Sequence, residues 1–462
     1  MKTITTPIIP VKQTFANVKT PHTLNYEAIC VFTAIGFFLD QDTYWKDEIA
    51  LKPGTTYTLD GNGEVINSKE NFRWHYKPRN ISFKTAVTEF TDLFETIIKE
   101  QSGTNTVLLP LSGGLDSRTQ AVALKHLGAA VHSYCYSFEN GFKEHEIGRK
   151  IAEVCGFRYD PFIIPPNYLW DVIEEVSSIN DCYSDFTHPR QIAVLDDFKR
   201  MQGEFSLGHW GDVFFDRGFA AADEKYSDLE IIYKKVVKKG GMAVASKLWK
   251  AWDLDGDFES YLKQRIQDLL DKIDIPHRES KVRAFKSLYW APRWTSVSLT
   301  FFENAHPIHL PYYDDRMCRF VCGIPEAYLA DRKIQIEYIK NRNPNVAKIE
   351  WQDQMPYNLY NYKDRQLLKT FSYRVKNKMQ REINAVLGKK YIQRNWELQF
   401  LGEENDGHLR GYLYQPDFLN FVGKDVVDYL YQKFTTEDVV FYSHAMSMLL
   451  TLSVWHRKLK TL

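Results

Sequence analysis

One stretch restricts the fold more than any other. Thr106-Val107-Leu108-Leu109-Pro110-Leu111 is followed at once by Ser112-Gly113-Gly114-Leu115-Asp116-Ser117. A short apolar run bounded by a turn signal reads as a buried strand. The residues from Arg118 to Leu127 read as a helix stopped by Gly128. The alternation then continues. Ala130 to Tyr136 is a second strand, and a helix from about Glu144 to Cys155 ends at Gly156. Phe162-Ile163-Ile164 is a third strand, stopped by Pro165-Pro166. A helix leads on from Tyr168, and Phe205-Ser206-Leu207 is a fourth strand before Gly208. Strands alternating with helices predict an α/β fold, a doubly wound parallel sheet with helices on both faces. Ligands of such sheets sit beyond the carboxyl ends of the strands.

Two flanking zones complete the chain, giving an expected division into residues 1–80, 81–350 and 351–462. In the first, Val31 to Leu39 is continuously apolar. Thr55 to Leu59 is β-rich and ends at the hairpin turn Asp60-Gly61-Asn62-Gly63. This zone reads as a small β-rich piece. Val87, Phe90, Leu93, Phe94, Ile97 and Ile98 then repeat at helical spacing and open the second zone. The third zone reads as a helical extension rich in Trp and Tyr. Between Lys363 and Glu397 it holds Lys363, Arg365, Lys369, Arg374, Lys376, Lys378, Arg381, Lys389, Lys390 and Arg394 against Asp364, Glu382 and Glu397, a local excess of seven positive charges. That run is either a solvated helix face or a surface for an anionic partner.

The loop from Ser112 to Ser117 has its own chemistry. Two glycines let the backbone approach a ligand without a Cβ in the way. Free N–H groups and the helix dipole converge where an anion is favoured, and Ser112 and Ser117 add hydroxyl donors. Asp116 is a carboxylate beside that anion, so a cation must lie between them. Mg²⁺ bridging Asp116 to phosphate oxygens is the natural inference. No Lys follows the glycines, which sets the loop apart from G-x-x-x-x-G-K-[ST].

Ser112-Gly113-Gly114-Leu115-Asp116-Ser117 resembles the pyrophosphate loop of the ATP-pyrophosphatase (PP-loop) superfamily, whose fold is adenine nucleotide alpha hydrolase-like. Further segments resemble its asparagine synthetase-like branch. Gly208-His209-Trp210-Gly211-Asp212-Val213-Phe214-Phe215 is similar to the motif that closes over pyrophosphate and metal. Leu310-Pro311-Tyr312-Tyr313-Asp314 is similar to its Arg-Val-Pro-Phe-Leu-Asp segment. The stretch from Phe37 through Thr43-Tyr44-Trp45-Lys46 to Leu51-Lys52-Pro53-Gly54 is similar to the tail of an amino-terminal glutaminase domain. The resemblance implies ATP and Mg²⁺ as cofactors and pyrophosphate binding by Ser112, Gly113, Gly114, Leu115, Asp116, Ser117 and Gly208. It implies metal ligation by Asp116 and Asp212, and adenine near Leu111 and Tyr136. By spacing back from Pro344, a transition-state cation falls at Arg332 or Lys333. His209 stands where the family has a glutamate base, and reads either as base or as a packed ring supporting the loop. Glu144 reads as a residue near the nucleotide or nucleophile, or as a surface carboxylate.

The chain departs from the family in ways that bear on the reaction. Residue 2 is Lys2, and no cysteine precedes Cys30, so glutamine hydrolysis by an N-terminal thiolate is not expected. The segment Asp185-Phe186-Thr187-His188-Pro189-Arg190 does not keep the aspartate-binding pattern. The expected activity is therefore an ATP-dependent carbon–nitrogen ligase. It would adenylate a small-molecule or peptide carboxylate and pass the acyl group to an amine or to ammonia, either free or from a separate glutaminase. Natural-product, peptide or polysaccharide biosynthesis is the setting the resemblance suggests. A tRNA-modifying relative, an NAD or GMP synthetase-like enzyme and a non-catalytic nucleotide-binding protein are the rivals. Composition weighs on this choice. Lys+Arg and Asp+Glu number 59 each, so the chain lacks the global basic field of a nucleic-acid binder. No C-x-x-C pair offers a zinc or sulfur-transfer site, and Cys318 and Cys322 read as neighbours on one helix face. No apolar run is long enough to span a bilayer, the first residues lack a signal-peptide core, and a reducing cytoplasm is the expected compartment.

Overall fold

The hairpin turn forms where it is expected. Asp60 Oδ1 accepts from the N–H groups of Asn62 and Glu64 at 2.8 and 2.9 Å. It joins β4 (Thr55–Leu59) to β5 (Val65–Glu70), and β1 (Lys2–Thr5) pairs with the other edge of β4 to give an antiparallel sheet in the order β1-β4-β5. β2 (Phe15–Asn17) and β3 (Glu48–Ala50) form a second small ribbon. The computed structural model describes residues 1–364, 366, 370–373, 375, 378, 379, 382 and 391–460.

The first zone is not wholly β. Tyr26–Ile35 is a helix, α1, capped by Asn25 and ended at Gly36 with φ 82°. Ala28 to Ile35 are all buried. A small twisted sheet has no interior that can cover a helix on every side, so α1 packs into the larger body. Gly241, in the helix Gly241–Ala251, meets it so closely that a Cβ there would sit 2.2 Å from the Ala34 carbonyl oxygen. Tyr44 stacks on Trp455 at 4.1 Å and donates to the Cys182 carbonyl at 2.6 Å. One continuous buried core runs from Ile8 to Trp455, and a smaller one (Ala16, Leu51, Tyr57, Leu59) lies within the N-terminal sheet.

The central sheet is the one the alternation predicts. After α2 (Phe83–Ser102) come β6 (Val107–Pro110), α3 (Leu115–Leu127), β7 (Val131–Phe138), α4 (Glu144–Cys155), β8 (Arg158–Ile164) and β9 (Glu204–Ser206). A fifth strand, β10 (Ile308–His309), has too few residues to show a pattern in sequence. All pairings are parallel, in the order β10-β9-β6-β7-β8. From β6 the chain winds outward to β7 and β8, then returns to β9 on the other side. The strand order thus reverses between β6 and β9, which opens a crevice at their carboxyl ends.

Helices fill the rest. Arg278–Phe285, a π-helix over Lys286–Thr295 and Ser296–Glu303 run on continuously. Arg293 in the π-turn is buried and donates to the Phe38 carbonyl at 3.1 Å, Gln13 Oε1 at 2.9 Å and the Asp42 carbonyl, which ties this helix to the N-terminal zone. Cys318 and Cys322 face the core from one turn of Asp315–Cys322. The C-terminal zone is helical from Asn395 to Leu459. Of the basic run, Arg365, Lys369, Arg374, Lys376, Arg381, Lys389 and Lys390 lie outside the described residues. Among the described residues, no helix is long and apolar enough to cross a membrane.

One close approach sets the site's floor. A Cβ on Gly148 of α4 would lie 2.1 Å from the Leu111 carbonyl oxygen at the end of β6. Gly148→Ala is expected to destabilise the protein by about 1–3 kcal/mol, as overpacking does, seen as a lowered melting temperature. An unchanged melting temperature would mean that α4 has room to move away from β6.

Candidate active site

The loop between β6 and α3 opens onto the crevice. Gly114 caps α3 without a side-chain acceptor, so the first-turn N–H groups keep their donors for a ligand. Ser112 Oγ accepts from Gly114 N–H, and Ser117 Oγ from Ser112 N–H, each at 3.3 Å. These contacts close the loop on itself. Gly113 is packed under it: a Cβ would lie 2.8 Å from Ile147 and 2.9 Å from Gln352. Arg118, fully buried on α3, donates to the carbonyls of Gly113, Ile349 and Glu350 and pins the 349–352 segment against the loop.

The loop after β9 meets the first one at Asp116. Asp212 N–H donates to Asp116 Oδ2 at 3.2 Å. Gly211 lies so close that a Cβ would stand 2.2 Å from Asp116 Oδ1, a space no other residue leaves. Trp210, with φ 80°, turns the chain in the left-handed region to make this approach. Arg283 holds the other end of the turn. It is buried with its charge met by Glu326 at 2.6 and 2.8 Å, and it donates to the carbonyls of Val213 and Asp216.

Arg332 completes the cluster. Its guanidinium pairs with Asp116 Oδ1, while its Nε donates to Gln335 Oε1 at 2.6 Å. Gln335 Nε2 donates in turn to Asp116 Oδ1 at 3.0 Å and to the Tyr312 hydroxyl at 2.8 Å. Asp331 and Arg332 both have φ 61°, a conformation that costs a non-glycine residue roughly 1 kcal/mol or more. The Arg332 N–H bond to the Phe215 carbonyl, 2.7 Å, helps to hold it. Burial pushes the Asp116 carboxyl up to about 6. The Arg332 guanidinium pulls it down, and Asp212 adds to the rise.

A cavity of about 560 Å³ joins these parts. Ser112, Gly114, Leu115, Asp116, Ser117, Gly208, His209, Asp212 and Arg332 all line it, together with Trp210, Lys286, Trp290, Trp294, Thr295 and Asp353. Magnesium fits the donor set. The Asp212 side chain is exposed to the cavity, Asp116 faces it, and hard carboxylate oxygens suit this ion. Asp116 would exchange part of its bond to Arg332 for the metal. His209 is held neutral: burial lowers it to about 4 against the opposing pull of Asp212, and its Nδ1 is buried without a partner.

Not every expected residue reaches this cavity. Lys333 turns away and donates to the Ala327 carbonyl at 2.8 Å, so Arg332 is the cation at the loop. The break between the two residues is the left-handed turn, which sends successive side chains in different directions. Leu111 is fully buried beneath the loop and lines neither this cavity nor the pocket at Tyr136, because its backbone is clamped between Tyr134 and Gly148. Glu144 does not line the Asp116 cavity either. Its carboxylate accepts from Gln352 Nε2 at 2.8 Å and borders a separate pocket of about 380 Å³ with Tyr136, Phe138 and Arg190. Arg190 lies 5.2 Å over the Tyr136 ring. Gln352, which also donates its backbone N–H to the Gly113 carbonyl, links that pocket to the loop. Asp314 caps the next helix, so the Leu310–Asp314 segment serves the site through Tyr312. All six cysteines are buried, and none lines the cavity.

The π-helix wall, with Lys286, Trp290, Trp294 and Thr295, has no counterpart among the sequence expectations. Its one outward signal is the aromatic run Tyr289-Trp290-Ala291-Pro292-Arg293-Trp294, with a proline inside helical sequence. π-turns inside helices occur often at functional sites.

No protein-family model matches the chain, and no curated protein matches it. Among solved structures it is similar to the NMN synthetase of Francisella tularensis, at 12% identity over 45% of this chain and 93% of that one, with a TM-score of 0.23. It is also similar to the NH3-dependent NAD synthetase of Campylobacter jejuni subsp. jejuni NCTC 11168, at 15% identity over 43% of this chain and 99% of that one, with a TM-score of 0.23.

Behind Trp294 lies a buried polar group that sets acid stability. Asp185 Oδ1 accepts from Thr187 N–H and hydroxyl and from His188 N–H, at 2.8, 2.6 and 3.0 Å. His444 Nε2 donates to the Thr33 carbonyl at 2.9 Å. Burial lowers both His188 and His444 to about 4, although Asp185 favours their charged forms. An unfolded histidine titrates near ~6.5, so the unfolded chain binds more protons between these values. Stability is expected to fall as pH drops from about 6.5 towards 4, by up to about 1.4 kcal/mol per pH unit for each histidine. The Asp185 carboxyl is held below its ordinary value and adds to the loss in acid. Denaturant unfolding at pH 7, 6 and 5 measures the slope, and His444→Gln should make it shallower. A flat profile would contradict the assignment.

Proposed function

We propose that this chain is an ATP-dependent carbon–nitrogen ligase, asparagine synthetase-like, forming AMP and pyrophosphate. The observation that carries the reading is the meeting of Asp116, Asp212 and Arg332 on the Ser112–Ser117 loop, at the strand-order reversal of a parallel sheet. An anion bound at a helix start beside two carboxylates needs positive charge between them, which a divalent metal and a guanidinium can supply. Mg²⁺ on Asp116 and Asp212, when bound, supplies charge neutralisation to the phosphates. The substrate carboxylate oxygen attacks the α-phosphorus, and the bond to the β-phosphate oxygen breaks. Arg332 and the α3 N–H groups hold the charge that grows on the departing pyrophosphate. An amine or ammonia then attacks the acyl carbon, AMP leaves, and the amide forms.

The remaining residues take roles consistent with this. His209, neutral at pH 7, offers a ring nitrogen as acceptor for the amine proton. The pocket of Tyr136, Arg190 and Glu144 lies beside β7, the next strand of the sheet, and suits the adenosine end of ATP. The nucleophile comes from solution, from an amine substrate or from a separate glutaminase.

Three variants test the reading by ATP–pyrophosphate exchange with Mg²⁺ over a panel of carboxylic acids. Wild type should support exchange with at least one acid. Asp116→Asn should abolish it, and Arg332→Met should lower it by about 10²-fold or more, the scale of a lost transition-state donor. Lys333→Met should stay within about threefold of wild type, less than 1 kcal/mol. Full exchange in Asp116→Asn, or equal losses in Arg332→Met and Lys333→Met, would overturn the assignment.

A further inference from the structure

Lys286 is a cation that the proposed chemistry does not use. It opens the π-helix and lines the Asp116 cavity. Its ammonium stands 5.7 Å from the ring centroids of both Trp210 and Trp290. Among the described residues it makes no hydrogen bond and has no carboxylate within ion-pair reach. Arg332, the other cation of the cavity, is committed to Asp116. Burial pulls the Lys286 ammonium below the usual lysine range, with Asp212 opposing.

A half-buried ammonium resting only on indole faces is incompletely compensated. Cation–π contact alone gives back less than a desolvated ammonium needs. Lysine offers donors alone, so its missing partner is an anion. The wall around it defines what else that anion carries. Trp210, Trp290 and Trp294 face the same cavity, and Trp290 and Trp294 stand edge to face at 5.8 Å. Trp210 is fixed by its indole N–H bond to Ser287 at 3.1 Å, and Lys238 lies 5.0 Å over Trp294. A hydrated triphosphate has its own donors at the Ser112–Ser117 loop and gains little from an indole surface. A carboxylate attached to an apolar or aromatic body gains from both the ammonium and the wall.

We infer that Lys286 and the Trp210–Trp290–Trp294 wall form the acid-substrate subsite, and that this substrate carries a second carboxylate, on an apolar or aromatic body, seated on Lys286. The inference rests on the ligase reading for which carboxylate is activated. The subsite itself is defined by binding alone. Lys286 is on this account a specificity residue.

The test uses the whole chain and the intrinsic fluorescence of the wall. Wild type, Lys286→Met and Lys286→Arg are titrated with aromatic dianions (4-carboxyphenylacetate, homophthalate and 3-(4-carboxyphenyl)propionate), with the monoanion phenylacetate, with succinate and with Mg²⁺-pyrophosphate. At least one aromatic dianion should bind wild type about tenfold or more tighter than phenylacetate or succinate, a gap of ~1.4 kcal/mol. Lys286→Met should lose that preference, Lys286→Arg should keep most of it, and pyrophosphate affinity should be the same in all three. Absence of any dianion preference in wild type, or its survival in Lys286→Met, overturns the inference. A fall in pyrophosphate affinity in Lys286→Met also overturns it, because the anion is then a phosphate of the nucleotide. Dianion binding that depends on Lys286 in a protein without ATP–pyrophosphate exchange would keep the subsite and remove the ligase.

Discussion

The pair of Asp116 and Arg332 is the constraint on which the site is built. Asp116 is placed by the loop between β6 and α3, and Arg332 by a left-handed turn almost at the other end of the α/β body. Arg332 is buried and Asp116 only partly open to the cavity, so the pair is stable with its remaining positions filled. Gln335, Asp212 N–H and, behind Gln335, Tyr312 fill them. The pair therefore fixes three segments at once, the two loops at the crevice and the Ala330–Arg342 helical stretch. Removing Asp116 leaves the Arg332 guanidinium buried without its carboxylate, which costs more than the pair contributes. On the proposed function, a metal-bound phosphate would offer each of them a further partner.

Around this pair the rest of the molecule acts as support. Arg118 and Arg283, both buried, spend their donors on the protein itself, Arg118 on main-chain carbonyls and Arg283 on the Glu326 carboxylate and two carbonyls. Arg118 holds the 349–352 segment against the glycine loop, and Arg283 holds the turn that carries Asp212. Arg293 does the same for the π-helix, tying it to Phe38 and Asp42. The N-terminal zone thus backs the wall of the cavity without lining it. It supplies carbonyl acceptors and apolar cover to the helix that bears Lys286, Trp290 and Trp294.

Much of this was legible in the sequence, and what was not has physical reasons. β6 to β9 and helices α3 and α4 could be read because each has enough residues for its period and a glycine or proline to end it. The glycine loop could be read because the need for a close backbone approach shows directly as Gly113 and Gly114. Asp212 and Arg332 followed from spacing within segments that resemble known motifs. α1 was hidden because a helix buried on all sides shows no amphipathic period, and β10 because its two residues show none. The choice between Arg332 and Lys333 depended on a backbone turn that neither residue type announces. Lys286 and the tryptophan wall were invisible for another reason. Lys286, Trp290 and Trp294 repeat at a spacing of four and so share a face in any helix, but that spacing reads as ordinary packing, and nothing in it shows that the face opens on the Asp116 cavity. Gln335 was missed as a partner of Asp116, and Tyr312 as the group behind Gln335, because neither belongs to a pattern of charged residues.

On the proposed function, Asp116 and its neighbours hold a divalent metal together with pyrophosphate. Electron paramagnetic resonance of Mn²⁺, with and without pyrophosphate, measures this directly on the intact chain. The account requires Mn²⁺ to bind stoichiometrically when pyrophosphate is present and weakly without it, and requires Asp212→Asn to weaken the ternary complex by at least about tenfold, or ~1.4 kcal/mol. Mn²⁺ binding that ignores pyrophosphate, or that is untouched in Asp212→Asn, would contradict it.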